Sequence, residues 1–197
     1  MSFSIVDFKA RGLTLGGARP SLFQVRVTFP KNVQGAGVKV REGGRFLCTA
    51  SQIPASIVQE VNVPYFGRMV KYKGDRQFQD WTVTVLNDED FQIREAFEAW
   101  QNYMNYLESN IMDEDYIAQG YKQDCFVEQF AKDGEPQSGG ESGHVVRAYN
   151  MIGAWPVQVS PINLSWGAQN EIETFDVTFA YDYWIPEGPT VTTIDAF

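Results

Sequence analysis

Apolar and polar residues alternate along most of this chain, and one stretch breaks the alternation. Trp81, Val83 and Val85 alternate with Thr82 and Thr84, the period of a half-buried strand. Valine, threonine and tryptophan also suit a pleated surface. The run from 74 to 86 is therefore read as one strand. After Asn87 the period changes. Ile93, Phe97, Trp100, Met104 and Leu107 recur at helical spacing, with Phe91 and Ala96 widening the stripe. This predicts a helix over 88–107, capped by Asn87 or Asp88, with Asp88, Glu89 and Asp90 favouring its positive end. The helix is expected to lie outside the sheet structure. It would bury Phe97, Trp100 and Met104 against a core that includes Trp81.

The other segments read mostly as strands. Residues 1–17 hold Gly12, Gly16 and Gly17 without a period and predict an arm. In 21–29, Phe23, Val25, Val27 and Phe29 face one way. A basic, glycine-rich loop is expected over 30–44, then strands over 45–53 and 57–63, stopped by Pro54 and Pro64, and a short basic run over 68–73. Strands follow over 125–131 and 145–152, the second interrupted by Gly153-Ala154-Trp155-Pro156. Residues 132–143 are loop-like, and 157–159 and 162–164 are short strands flanking Pro161. The longest alternation is 170–184. Phe175, Val177, Phe179, Tyr181 and Tyr183 point one way, and Thr174, Asp176, Thr178 and Asp182 the other. Residues 185–197 lack a period and are read as a tail. Eight to ten strands and one helix predict a mainly β chain: one antiparallel barrel or sandwich, closed or nearly so, over 18–184.

Composition narrows the class. The 197 residues are 44% hydrophobic and 14% aromatic, enough for a sizeable core. No apolar run approaches a membrane span, and the first residues lack the basic-then-apolar order of a signal peptide. The expectation is a cytoplasmic site of synthesis and no stable membrane association. Cys48 and Cys125 are then read as free thiols. The net charge of −9 hides a polarity. Residues 1–86 carry twelve Lys or Arg and five Asp or Glu, whereas 87–115 carry one and nine, and 148–197 none and six. Scattered solvated charge is the plainer reading. The sharper one is that one part of the chain meets a different part of an identical neighbour.

Little in the chain points to catalysis. Gly140-Glu141-Ser142-Gly143 is similar to the Gly-Asp-Ser-Gly run around some serine nucleophiles. The sole histidine, His144, is two residues from Ser142 in a glycine-rich loop, a poor frame for a triad. Asp113, Glu114 and Asp115 lack the spacing of a calcium loop. Two cysteines and one histidine cannot complete a four-ligand Cys/His zinc site. The glycines at 12, 16 and 17 lack the Lys-Ser/Thr of a phosphate loop. Asn163-Leu164-Ser165 matches a glycosylation acceptor, which has no meaning without secretion. Most of the five tryptophans fall at strand or helix core positions and are read as packing residues rather than a sugar platform. The expectation is a non-enzyme without cofactor or metal.

Several runs, in order, resemble the tail tube proteins of T-even-type contractile bacteriophages. They are Ala18-Arg19-Pro20-Ser21-Leu22-Phe23-Gln24-Val25, Ile53-Pro54-Ala55-Ser56-Ile57-Val58, and the run from Gly74-Asp75-Arg76 through Asp80-Trp81-Thr82-Val83-Thr84-Val85 to Asn87-Asp88-Glu89. Gly153-Ala154-Trp155-Pro156 follows, then Asn170-Glu171-Ile172-Glu173-Thr174-Phe175-Asp176-Val177 and Tyr181-Asp182-Tyr183-Trp184. The resemblance implies an antiparallel barrel with a flanking helix. It implies hexameric rings stacked head to tail into a virion tube, assembled in the host cytoplasm, through which double-stranded DNA passes without specific binding. It further implies a tail sheath protein outside, a tape-measure protein inside during assembly, and baseplate and tail-terminator proteins at the ends. Fold relatives build tubes in bacterial contractile injection and type VI secretion machines, so such a tube is one alternative. A monomeric ligand-binding barrel is another.

Two surfaces follow as candidates. Asp176, Thr178 and Asp182, on the polar side of the last long alternation, are expected to face water or a tube lumen. Residues 50–74 carry Ile57, Val61, Tyr65, Phe66 and Met69, with Arg68 beside them. An apolar patch of that size rarely stays open on a monomer, so this segment is expected to reach neighbouring subunits. The resemblance agrees, because fold relatives use an extended loop here to join rings.

Overall fold

The computed structural model describes residues 17–31, 33, 40, 47–112, 120–132 and 145–187. Its elements among those residues are β1 (Phe23–Val27), β2 (Cys48–Ser51), β3 (Ile57–Tyr65), β4 (Arg68–Gln77), β5 (Trp81–Leu86), α1 (Gln92–Met104), β6 (Gln123–Phe130), β7 (Val145–Val159), β8 (Thr174–Ala180) and β9 (Tyr183–Glu187). The chain is mainly β and every strand pair is antiparallel. The large sheet has the order β1-β6-β7-β8-β5-β2, with β9 also on β7, and β3–β4 forms a separate two-stranded ribbon. Among the described residues no ladder joins β1 to β2.

The fifteen-residue β7 makes two layers from one sheet. Residues 145–154 pair with β6, 148–152 with β9, and 155–159 with β8. The strand turns the corner at Gly153, whose φ is +68°, a conformation glycine adopts without a Cβ penalty. Opposite it the β6 register shifts between Gln123 and Cys125, and the Asp124 carboxylate accepts the Gly153 N–H at 3.1 Å. Residues 153–156 therefore bend the strand instead of interrupting it.

The alternation of 170–184 is likewise two strands. Phe175, Val177 and Phe179 are buried on β8, but at Tyr181–Asp182 the chain kinks, and Tyr183 emerges exposed on β9. The Asp182 N–H donates to the Ile152 carbonyl at 3.0 Å across this kink. The tail boundary moves as well, since Ile185–Glu187 belong to β9. Residues 162–164 form no strand, and Gly74 belongs to β4 rather than to the strand of Trp81.

One apolar cluster unites both layers and the helix. Val25 and Val27 of β1, Val83 and Val85 of β5, Cys125 and Val127 of β6, Met151 of β7 and Phe175, Val177 and Phe179 of β8 meet Ile93, Phe97, Trp100 and Met104 of α1. Trp100 is fully buried and its indole N–H donates to the Tyr121 carbonyl at 3.0 Å. Phe97 packs edge-on to Phe179 at 5.8 Å, and Trp81 lies 5.3 Å from the same ring. Of the predicted stripe Ile93, Ala96, Phe97, Trp100 and Met104 are buried while Phe91 and Leu107 are exposed, and α1 meets the inward side chains of β8 and forms a wall of the core. It does not lie outside a finished barrel. Burying aromatic rings on both sides of Phe179 removes more apolar surface from water than covering an outer face would.

The helix is also shorter than 88–107, and neither Asn87 nor Asp88 caps it. Phe91 holds the N-cap position with φ +51° and no side-chain cap bond. Asp88 accepts the N–H of Glu89, and Asn87 turns to Glu173. These short polar side chains are used in the turn before the helix. At the other end the N–H of Leu107 donates to the Asn102 side chain, outside the helix.

Candidate functional site

The feature that stands off the core is the ribbon β3–β4. All but one of its strand residues are exposed. Pairing of Val61 with Tyr72, Val63 with Val70 and Tyr65 with Arg68 alternates with pairing of Glu60 with Lys73, Asn62 with Lys71 and Pro64 with Met69. Alternation then gives two faces. One carries Val61, Val63, Tyr65, Val70 and Tyr72, with Arg68 at its end beside the turn. The other carries Glu60, Asn62, Lys71 and Lys73, with Lys71 Nζ 2.7 Å from Glu60 Oε2. Both side chains of that pair are more than half exposed, so it adds little stability.

A register shift between Val58 and Glu60 sets off the base of the ribbon. Gly74 lies there because a Cβ would stand 2.9 Å from the Gln59 carbonyl oxygen. The tip is the two-residue turn Phe66-Gly67, with φ +44° and +77°. Two positive φ values suit a tight hairpin, but that turn favours Asn or Gly at its first position. A phenylalanine there is strained, and Phe66 is 90% exposed. Its ring meets Tyr65 edge-on at 4.7 Å.

Of the expected contact residues, the structure brings Val61 and Tyr65 onto one face and places Phe66 at the tip with Arg68 opposite Tyr65. Ile57 lies at the base, and Met69 falls on the opposite face beside Pro64. Val63, Val70 and Tyr72 were missed as members of the apolar face. Their signal was the alternation of Val70 and Tyr72 with Lys71 and Lys73 around a Phe-Gly turn.

The second surface is the outward side of β5 and β8. Thr84 donates to Asp176 Oδ1 at 2.6 Å, Thr82 and Thr178 hydroxyls lie 3.3 Å apart, and the Asp176 N–H donates to Ser160 Oγ at 2.8 Å. Asp176 is exposed and Thr178 half-buried, so this side is hydroxyl-rich with one carboxylate. Asp182 is exposed to water as expected, but it does not continue the row. It sits in the kink after β8, where Lys122 Nζ reaches its two carboxylate oxygens at 2.7 and 2.8 Å. That hydrogen bond holds the Lys122 ammonium above its ordinary pKa, and the pair cancels the charge expected of Asp182.

Both cysteines are free thiols. Burial pushes Cys48 and Cys125 each up to about 12, which makes them poor nucleophiles. Among the described residues no group of three or more His, Cys, Asp or Glu could hold a metal ion, and no helix is long and apolar enough to cross a membrane. The arm 1–16, most of loop 30–44, the acidic run Asp113–Asp115, Ser142 with His144, and 188–197 lie outside the described residues. Trp166 is the exception among the tryptophans: it is fully exposed, in a turn between β7 and β8.

Known proteins resemble this chain at both levels. A family model described as phage tail tube protein matches residues 18–187. Tail tube protein gp19 of Enterobacteria phage T4 is 35% identical over 180 residues, covering 91% of this chain and 98% of that protein. The tail tube protein of Serratia phage KSP90 is 23% identical over 166 residues, covering 84% and 86%. In fold, the chain is similar to the tube-terminating cap of the anti-feeding prophage, with a TM-score of 0.59 at 15% identity, covering 87% of this chain and 91% of that one. It is also similar to a chain of an extracellular contractile injection system's sheath-tube complex, with a TM-score of 0.53 at 14% identity, covering 95% and 99%. An antiparallel two-layer body with a projecting ribbon, matched over 18–187 by one family and over nearly all of a curated relative's length, leaves one assignment: the chain belongs to the phage tail tube protein family.

Proposed function

We propose that this chain builds the inner tube of a contractile phage tail, as hexameric rings stacked head to tail around a lumen that passes double-stranded DNA. The observation that carries the reading is the ribbon β3–β4, an apolar face held in water by a chain of tail tube type. A two-stranded ribbon is only marginally stable alone, and an exposed apolar patch marks a partner surface. A neighbouring copy supplies that partner without any second protein. Contacts of this kind are head to tail, because a two-fold contact would close after two copies.

In this reading the hydroxyl-rich side with Asp176 and Thr178 faces the lumen. It offers DNA phosphates no basic groove, so the duplex slides without being held. A sheath protein surrounds the tube, a tape-measure protein occupies it during assembly, baseplate and terminator proteins bound its ends, and no cofactor takes part. The chain works in the virion tail after assembly in the host cytoplasm. Identity of 35% along almost the whole of a phage tube protein favours a genome tube over that of an injection machine. Against a ligand held between the two layers, the gap among Phe29, Cys48, Val85, Phe97 and Phe179 has no room for a water molecule.

Electron microscopy of the purified protein tests the reading. Rings or tubes are expected, and a variant lacking residues 64–68 should stay folded by circular dichroism yet form no tubes. A monodisperse 22.3 kDa particle at every concentration, or tubes of normal length from the deletion, would refute it.

A further inference from the structure

We propose that the ribbon tip, Tyr65 with Phe66, seats in a groove at the C-terminal end of α1 on a second copy of this chain. The inference rests on the tube reading and names the two surfaces that would join. The groove has a volume of about 570 Å³ and is lined by Met104, Met112, Tyr121, Trp155 and Val157, with Glu98 on its rim. That volume is within the range of sites that enclose a small ligand, roughly 300–1,000 Å³. Methionines adapt to an aromatic guest and favour sulfur–ring contact. Tyr121 and Trp155 meet edge-on with centroids 6.1 Å apart, leaving an aromatic wall for a third ring.

The tip has the complementary chemistry. Its two rings are mutually packed and point away from the body, and Arg68 follows at once. Lys71, Lys73 and Arg76 continue a basic strand. On the groove side Glu98 is paired with Arg94 at 2.8 Å; the last turn of α1 holds no basic residue, so the negative pole there is the helix's own carbonyl end. Among the described residues neither surface is covered: Phe66 is 90% exposed and Leu107, at the groove lip, 92%. The strained backbone of Phe66 also needs an explanation that the folded monomer does not supply, since an asparagine would make the same turn with less strain. Tip and groove are different surfaces, so each copy offers one and accepts the other, and the contact propagates.

Disulfide trapping tests this. The variants F66C and V157C, each in the full chain, are mixed under tube-forming conditions with oxidised glutathione at about pH 8, and cross-linked dimers are resolved on a non-reducing gel. A thiolate at either engineered site exchanges with glutathione disulfide, and the second thiolate then displaces glutathione, so the oxidising equivalent comes from the added disulfide. Cys48 and Cys125, with thiols pushed up to about 12, contribute little background. V146C is the control, because Val146 is as exposed as Val157 on the same strand but is not part of the groove. Cross-linking of F66C to V157C should exceed that to V146C at least tenfold. The variant Phe66→Asn should raise the melting temperature of the unassembled chain while lowering tube yield at least tenfold. Tubes that form with equal or no trapping at V157C, or a Phe66→Asn variant that assembles normally, would overturn the tip-in-groove contact and leave the tube reading intact. A chain that stays monomeric under all conditions would end both.

Discussion

Replacing Gly153 with alanine tests how the two layers are joined. The residue has φ +68° at the corner of β7, and an L side chain in that region costs roughly 1–2 kcal/mol. The new Cβ would also stand 2.6 Å from Asp182 Oδ2 and 3.3 Å from its Cγ. The Asp182 carboxylate is the end of a short side chain and can swing aside, but it then leaves Lys122. Both partners are more than a third exposed, so screening limits that loss to below about 1 kcal/mol. The backbone term therefore dominates, and the total is about 1–3 kcal/mol. For a chain of this size each kcal/mol lowers the melting temperature by about 2–4 °C, giving a drop of about 2–12 °C. The assay is thermal unfolding by circular dichroism at a concentration below assembly. In a double-mutant cycle, Asp182→Ala should recover only the minor part of the loss. A Gly153→Ala protein melting within a degree of the parent would refute the corner argument, and full recovery by Asp182→Ala would show that the clash, not the backbone, sets the cost.

Three further outcomes are expected. Trp100→Ala should destabilise the monomer by about 3–5 kcal/mol, the range for emptying a buried aromatic site, and a melting point within two degrees of the parent would show that Trp100 is not a core anchor. Tube growth followed by light scattering should slow as salt rises from about 0.05 to 0.5 M, because screening shortens the attraction between the basic ribbon and the negative surface of a neighbouring copy; finished tubes, held by apolar contacts, should persist, and a salt-independent rate would remove charge from the mechanism. Thiol labelling at about pH 8 should be slow in the native chain and complete in denaturant. The unfolded thiols release protons at about 9.0 and the folded ones at about 12, so the folded state binds more protons between those values and stability should fall as pH rises through that window. A native thiol that labels as fast as the denatured one would show the site to be open.

The sequence by itself determined which residues are core. Period-two runs named Val25, Val27, Trp81, Val83, Val85, Phe175, Val177 and Phe179 as one-sided, and period 3.6 named Phe97, Trp100 and Met104; all are buried. Alternation reports which face of an element avoids water, and that is local information. The ribbon was legible only in part: Val61, Tyr65 and Phe66 stood out as uncovered apolar positions, but Val63, Val70 and Tyr72 share their face only through the strand pairing. What only the tertiary structure decided was where elements turn and what they turn toward. Residues 153–156 read as a break because Gly and Pro usually end strands, yet Gly153 bends β7 while Asp124 and Ile152 supply the bonds that keep the chain in the sheet. The row Asp176, Thr178, Asp182 read as continuous because alternation carries no record of a kink. The Lys122–Asp182 pair joins residues sixty positions apart, a distance over which sequence spacing has no meaning. The helix stripe was visible, but its place as a wall of the core depends on an open side between two layers. That opening exists only once β7 has folded one sheet over the other.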